Sequence, residues 1–401
     1  MRQATLDAYA PIVGAERIAV LRRLAQRIKG RRLVMVNSTR QGGGVAEVLA
    51  RLVPLFNELG IDTRWEVMEG SPEFFEVTKT MHNTLQGARL ELSESQREIY
   101  LETNRHAAQK MDLDADFVVI HDPQPAALVD FVPKKCPWVW RCHIDVSRPN
   151  RSVWRFLRRH VAHYDASVFS MASFSQNLPH SQYLIPPSID PLSEKNEELE
   201  SDQISRVLSS FGIEEGRPLI VQVSRFDRFK DPVGVIHAFR MVKRRDDCQL
   251  VLVGGTATDD PEGDEVLAEA REAARGDPDI HVLSIPPDSY HEINALQRAA
   301  TCIVQKSTKE GFGLTVTEGL WKSRPVIGGA AGGITLQVFD HQTGFLVHSV
   351  EGLAFRIRYL LNRPRLASEM GRRGHELARH FFLLDRHLRD WLTLLVGLSE
   401  S

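Results

Sequence analysis

The 401-residue chain reads as an α/β protein built from two doubly wound parallel domains that face a cleft. Three observations point there. Short β-branched runs alternate with helical periodicity through nearly the whole chain, the pattern of parallel sheets covered by helices on both faces. Two such series are separated by the stiff stretch Ile185-Pro-Pro-Ser-Ile-Asp-Pro191 and the polar, carboxylate-rich segment 193–205. Several of the runs end in glycine-rich or charged loops, where sheets of this kind hold their ligands.

In chain order, the first series places strands at Leu33–Val36, Thr63–Val67, Phe117–Ile120, Trp138–Arg141, Ser167–Phe169 and Tyr183–Ile185. Between the first two, Val45, Val48, Leu49, Leu52, Val53, Phe56 and Leu59 recur at helical spacing, and Gly60 supplies the stop. Gly42, Gly43 and Gly44 stand between that strand and that helix. Each glycine costs conformational entropy, so three together imply that something bulky and polar approaches the backbone there. The second series places strands at Leu219–Val223, Leu250–Val253, His281–Ile285, Cys302–Gln305, Val326–Ile327 and Phe345–Val347. Asp259-Asp260-Pro261 reads as a helix entry, with acids near the positive end of the dipole. Trp138, Trp140 and Trp154 read as core. The expected domains are Rossmann-like, 1–188 and 189–378, with 379–401 as an apolar-faced helix packing back on the body.

Composition excludes several classes. A formal net charge of −2 supplies no general attraction to nucleic acid or membrane. Basic clusters around Arg22–Arg32 and Arg155–Arg159 sit in amphipathic patterns and read as solvated faces. Cys136, Cys142, Cys248 and Cys302 are scattered with no C-x-x-C pair, which favours reduced thiols over a disulfide frame or zinc site. With no apolar leader and no long apolar run, the expectation is a soluble, cytoplasmic protein acting on small molecules. Oligomeric state stays open, a homodimer included.

The strongest chemical signal is Glu310-Gly-Phe-Gly-Leu-Thr-Val-Thr-Glu318. Gly311 and Gly313 allow a tight turn, and the N–H groups around Gly313, Leu314 and Thr315 would open a helix as an anion site. Phe312 lies within this loop. Glu310 would stand in the loop, and Glu318 about one and a half turns into the helix. Ser224-Arg-Phe-Asp-Arg-Phe-Lys230-Asp follows another strand of the same domain; Arg225 and Lys230 suit a diphosphate, one as a planar fork and one as a point charge. The plain alternatives are an ordinary strand–helix turn and surface charges paired with Asp227 and Asp231. In the first domain, His121-Asp-Pro-Gln-Pro125 and Trp140-Arg-Cys-His143-Ile-Asp145 end strands with polar groups, making Asp122 and His143 candidates to touch a sugar. His121, Asp122, His143 and Asp145 could also ligate a metal by residue type, although nothing in their spacing specifies a geometry. Gly332-Gly333 reads as a tight turn that could touch the ligand.

Glu310 and Glu318 with seven residues between them, preceded by the Arg225/Lys230 loop, resemble the donor site of the retaining glycosyltransferases of family 4, which have the GT-B fold. VNSTRQGGGVAEVLARLVP, HNTLQG, IHDPQPAAL, WRCHID, PPSIDPLSEKN and EGFGLTVTEGLWKSRPVIG together are similar to the trehalose glycosyltransferring synthases within it. Asp231 departs from the pattern, which more often has glycine after the lysine, and Gly319 stands where alanine is common.

The resemblance implies a hexosyltransferase that moves glucose from a nucleoside-diphosphate glucose to free glucose, forming α,α-trehalose reversibly through a front-face, oxocarbenium-like state. It assigns Arg225, Lys230 and the amides near Gly313 to the departing diphosphate, Glu310 to donor-sugar hydroxyls, Glu318 to the ribose and His143 to the C6 hydroxyl or reacting centre. Gly42–Gly44 would close over phosphate and sugar, and Asp122 and Gln124 would hold the acceptor. With protein cations in place and no Asp-x-Asp motif, no cofactor is expected and a divalent metal is not essential. The competing readings are a retaining trehalose phosphorylase, another family 4 transferase, and a sugar-nucleotide-binding protein without activity.

Overall fold

The computed structural model describes residues 5–40, 43–255 and 261–400. They form two six-stranded sheets, parallel throughout. The strands are β1 (Arg32–Asn37), β2 (Asp62–Val67), β3 (Phe117–His121), β4 (Trp138–Arg141), β5 (Ala166–Phe169), β6 (Ser181–Leu184), β7 (Leu219–Val223), β8 (Gln249–Gly254), β9 (Ile280–Ser284), β10 (Cys302–Gln305), β11 (Val326–Gly329) and β12 (Gly344–Val347). Every expected strand is present, with ends shifted by at most two residues. Their apolar runs are buried along their length, as in β3, β7 and β8, because helices cover both faces.

The chain divides into two compact units, 1–188 with 384–401, and 189–383. In the first the strand order is β2-β1-β3-β4-β5-β6, so the winding direction reverses between β1 and β3. In the second it is β12-β11-β10-β7-β8-β9, reversing between β7 and β10. Loops at such reversals leave the sheet on opposite sides and open a crevice at the strand ends, the usual ligand position in open α/β sheets. Four of the loops singled out from sequence follow β1, β3, β7 and β10, the strands that flank the two reversals, while the loop carrying His143 follows β4 and that of Gly332-Gly333 follows β11.

The first core gathers Val34, Val36, Ile120, Trp138 and Trp140 under helices Pro72–Leu85, Glu94–Lys110 and Arg151–Val161, with Trp154 half-buried against it. Helix starts follow their capping chemistry. Ser93 and Gln96 form a reciprocal capping box, and Asn150 accepts from Ser152 N and Val153 N. The glycine-led helix is Gly44–Glu58, and it buries Leu55 where Val53 was expected. The four cysteines are free. Asp259 and Asp260 lie outside the described residues; the helix after them is Pro261–Ala274.

The boundary expected at 378 is displaced. Helix Pro364–Phe381 runs past it, and Phe382 O still accepts from Ile189 N within the second unit (2.9 Å). The final helix, Leu384–Glu400, belongs to the first unit, where it packs on Ala15–Gln26. Its buried Arg386 donates to Pro186 O (2.8 Å) and Pro187 O (2.9 Å) and to Asp390 Oδ2 (3.0 Å). His387 Nδ1 lies 2.9 Å from Ser188 Oγ. Arg386→Met would orphan two carbonyls and leave Asp390 with Arg389 as its remaining ion-pair partner, at a cost of about 2–4 kcal/mol. Thermal unfolding should show a clear drop in melting temperature; an unchanged melt would mean that water replaces these bonds.

Candidate functional site

In the second unit the two loops at the sheet reversal are stitched together. After β7, Asp227 Oδ1 accepts from Phe229 N (2.7 Å) and shapes a single turn over Arg228–Lys230. Buried Gln222 holds this turn through Lys230 O (3.1 Å). From the loop after β10, Thr308 N donates to Phe229 O (2.8 Å). Lys230 Nζ then lies 2.5 Å from Glu310 Oε2, which also accepts from Ser307 Oγ at 3.0 Å. Arg225 is looser: its guanidinium is 3.5 Å from Asp227 and 58% exposed.

Gly313 caps helix Leu314–Trp321 with φ +85°, a backbone region that side chains resist. A Cβ there would stand 3.2 Å from Glu310 Cγ. Among the described residues no side chain caps the start of this helix, which leaves its first N–H groups available to an anion. Gly333 serves this loop from behind, since a Cβ on it would lie 2.4 Å from Phe312 Cα. Buried Gln337 donates to Phe312 O (2.6 Å), and Thr315 Oγ1 to Val223 O (3.1 Å). Arg225, Lys230, Glu310 and the Gly311–Thr315 turn are therefore brought to one sheet edge.

Glu318 is placed differently. It is fully buried, with Oε1 2.7 Å from Lys195 Nζ and Oε2 accepting from Gln297 Nε2 at 2.9 Å. Burial pushes its pKa up, but the ammonium groups of Lys195 and Lys322 outweigh that and hold the carboxyl below its ordinary value. A ribose would have to share this carboxylate with Lys195. Residue patterns single out Glu318 but not Lys195, which lies far upstream in PPSIDPLSEKN.

Asp231, which stands where the family pattern more often has glycine, has φ +49° and caps helix Pro232–Lys243 by accepting from Gly234 N (3.1 Å). Lys306 Nζ pairs with its Oδ2. Lys306, Ser307 and Gln222 carry no motif that marks them in the sequence. Lys306 could have been noticed as a charged residue immediately after an apolar strand.

In the first unit Asp122 takes the left-handed position (φ +67°) at the end of β3. Its N–H donates to Arg141 O and its Oδ1 accepts from His143 N, each at 2.7 Å. Burial pushes its pKa up to about 6 against the opposing pull of that N–H and of Arg141. His143 Nε2 lies 2.9 Å from His121 Nδ1, the rings stacked at 5.2 Å. Burial, then Arg141, His121 and His387, hold the His143 pKa well below its ordinary value, so its imidazole is neutral near pH 7. Tyr100 Oη and Asn104 Nδ2 fix the following loop through Pro123 O (2.8 Å) and Gln124 O (3.1 Å). Gln124 Oε1 is buried without a hydrogen-bond partner among the described residues, an acceptor suited to a hydroxyl.

Gly43 has φ +91° and precedes its helix, yet among the described residues nothing lies within 4 Å of where its Cβ would be. The backbone conformation requires glycine there; crowding does not. Gly44 opens the helix, and Gly42 lies outside the described residues. Among the described residues no group of three or more His, Cys, Asp or Glu could hold a metal ion.

Residues 35–176 match the family model described as trehalose synthase, N-terminal domain, and residues 203–377 match that for glycosyl transferases group 1. The trehalose synthase of Pyrococcus horikoshii is 47% identical over 98% of this chain and 96% of its own. A trehalose phosphorylase of Pleurotus pulmonarius is 27% identical over 85% of this chain, which spans only 54% of that protein. Among solved structures, the trehalose-6-phosphate synthase OtsA superposes with a TM-score of 0.75 at 12% identity, covering 92% of this chain and 99% of that one. At that identity the likeness establishes the fold alone, the two-domain architecture of such glycosyltransferases.

Proposed function

The chain belongs to the trehalose synthase family of glycosyltransferases, and on that footing we propose that it transfers glucose from a nucleoside-diphosphate glucose to free glucose, forming α,α-trehalose reversibly and with retention. The observation that most supports this donor is the convergence of Lys230, Arg225 and the open N-terminus at Gly313 on one sheet reversal.

Departure of the diphosphate is the charge-developing event. Lys230 and the helix amides are fixed before it occurs, so little reorganisation is needed, while exposed Arg225 supplies a further fork of donors. Glu310 keeps Lys230 oriented and offers its second oxygen to a donor-sugar hydroxyl. Glu318, shared with Lys195, receives the ribose. The Gly43 turn leaves the first unit's backbone open for a phosphate or sugar to approach.

On the acceptor side, Asp122 and Gln124 hold the incoming glucose, and neutral His143 serves as a hydrogen-bond partner rather than a cation. Retention follows if the acceptor hydroxyl arrives on the face the diphosphate leaves, passing its proton to a departing phosphate oxygen. The protein cations neutralise the leaving charge, so no metal or other cofactor is assigned.

Purified protein given glucose with ADP-, UDP- or GDP-glucose in turn should release trehalose and the matching nucleoside diphosphate. No trehalose with any donor would refute the assignment. Glucose 1-phosphate formed from trehalose and inorganic phosphate would replace it with phosphorolysis.

A further inference from the structure

We propose that Lys306 is a positioning residue for the donor site: by pairing with Asp231 it ties the Arg228–Asp231 turn to the end of β10 and cancels a carboxylate next to Lys230. This inference rests on the donor reading above.

Position 231 demands a left-handed backbone, which glycine supplies freely and aspartate tolerates. Aspartate adds a cap for helix Pro232–Lys243, but it also sets a negative charge directly after the lysine meant for a diphosphate. Lys306 answers that charge. Its side chain is 11% exposed and its ammonium sits on Asp231 Oδ2. Successive residues leave the end of β10 in opposite directions, so Lys306 reaches Asp231 while Ser307 reaches Glu310.

Two carboxylate–ammonium pairs, 231 with 306 and 310 with 230, thus bracket the turn. The link Thr308 N to Phe229 O lies between them. Removing Lys306 exposes the diphosphate to an uncancelled negative charge within a Debye length and loosens the turn that carries Lys230.

The test is a cycle of Lys306→Met, Asp231→Asn and the double variant, with Lys306→Arg as the charge-keeping control. Asparagine retains both the capping oxygen and the tolerance of a left-handed backbone. Binding of ADP, UDP and GDP is measured by calorimetry, then KM and kcat with the matching glucose donor. Lys306→Met should weaken nucleoside-diphosphate binding and raise donor KM about tenfold, the scale of one uncancelled charge at a partly shielded site, with a smaller change in kcat. Adding Asp231→Asn should recover most of the loss, and Lys306→Arg should bind like the wild type.

Unchanged binding in Lys306→Met would overturn the proposal. So would a loss that persists in the double variant, or one equally large in Lys306→Arg. A wild type that binds a nucleoside diphosphate but transfers no glucose defeats the activity reading while leaving this comparison decisive. A wild type that binds none defeats both.

Discussion

Replacing Lys230 by alanine is expected to lower turnover at saturating donor by about a hundredfold or more, the usual loss when one preorganised charge-stabilising donor is removed. The geometry makes the loss specific. Lys230 is held at three points: Gln222 on its carbonyl, Thr308 on the carbonyl before it, and Glu310 on its ammonium. Such a cation is already in place when charge develops on the leaving phosphate. Its removal also strands Glu310, 9% exposed, with Ser307 as its remaining hydrogen-bond donor, so donor affinity should fall as well. Steady-state kinetics with trehalose as the measured product decides the matter. Near wild-type turnover with a normal melt would remove Lys230 from the leaving-group site.

The second large effect concerns Asp122. Asp122→Asn keeps the acceptor for His143 N and tolerates φ +67°, so the loop should stand while the charge is lost. Activity should fall by about a hundredfold, on the scale of other charged groups that hold a reacting hydroxyl in place. In the wild type, kcat/KM should decline as pH drops through about 6, where the buried carboxyl takes up its proton. The variant should lack that limb.

Stability should move in the opposite sense. The folded pKa lies above the ordinary carboxylate value, so the ionised group costs stability. That cost is absent below about pH 4, grows as pH rises towards 6 and is complete above it. It amounts to at most about 3 kcal/mol. The variant should therefore melt no lower than the wild type at pH 7, with any gain vanishing near pH 4. A variant that is both fully active and limb-bearing would show that another group titrates and that Asp122 does not hold the acceptor.

The alternation of strands and helices, and the loops worth watching, could be read from residue patterns because both are local. A period of two or 3.6 residues is written within one segment. A glycine that must adopt φ +85° at Gly313 or +91° at Gly43 leaves its mark at its own position. Arg225, Lys230, Glu310 and Asp122 stand out as polar residues in the loops that follow apolar runs. The boundary near 188 showed in the prolines that stiffen the crossing.

What lay beyond those patterns depends on which strands become neighbours. Only the orders around β1/β3 and β7/β10 put the chosen loops beside each other. Only that proximity pairs Lys306 with Asp231, 75 positions apart, and Lys230 with Glu310, 80 apart. Glu318 stands about one and a half turns into its helix, and Lys195 and Gln297, remote in sequence, close around it. The last helix looked like a generic packing element, yet Arg386 and His387 fasten it to Pro186–Ser188 of the first unit. Ion pairs and buried hydrogen bonds are short-ranged contacts between groups remote in sequence, and no local periodicity records them. Residue patterns therefore named the groups for the chemistry, and folding set which charge each would face.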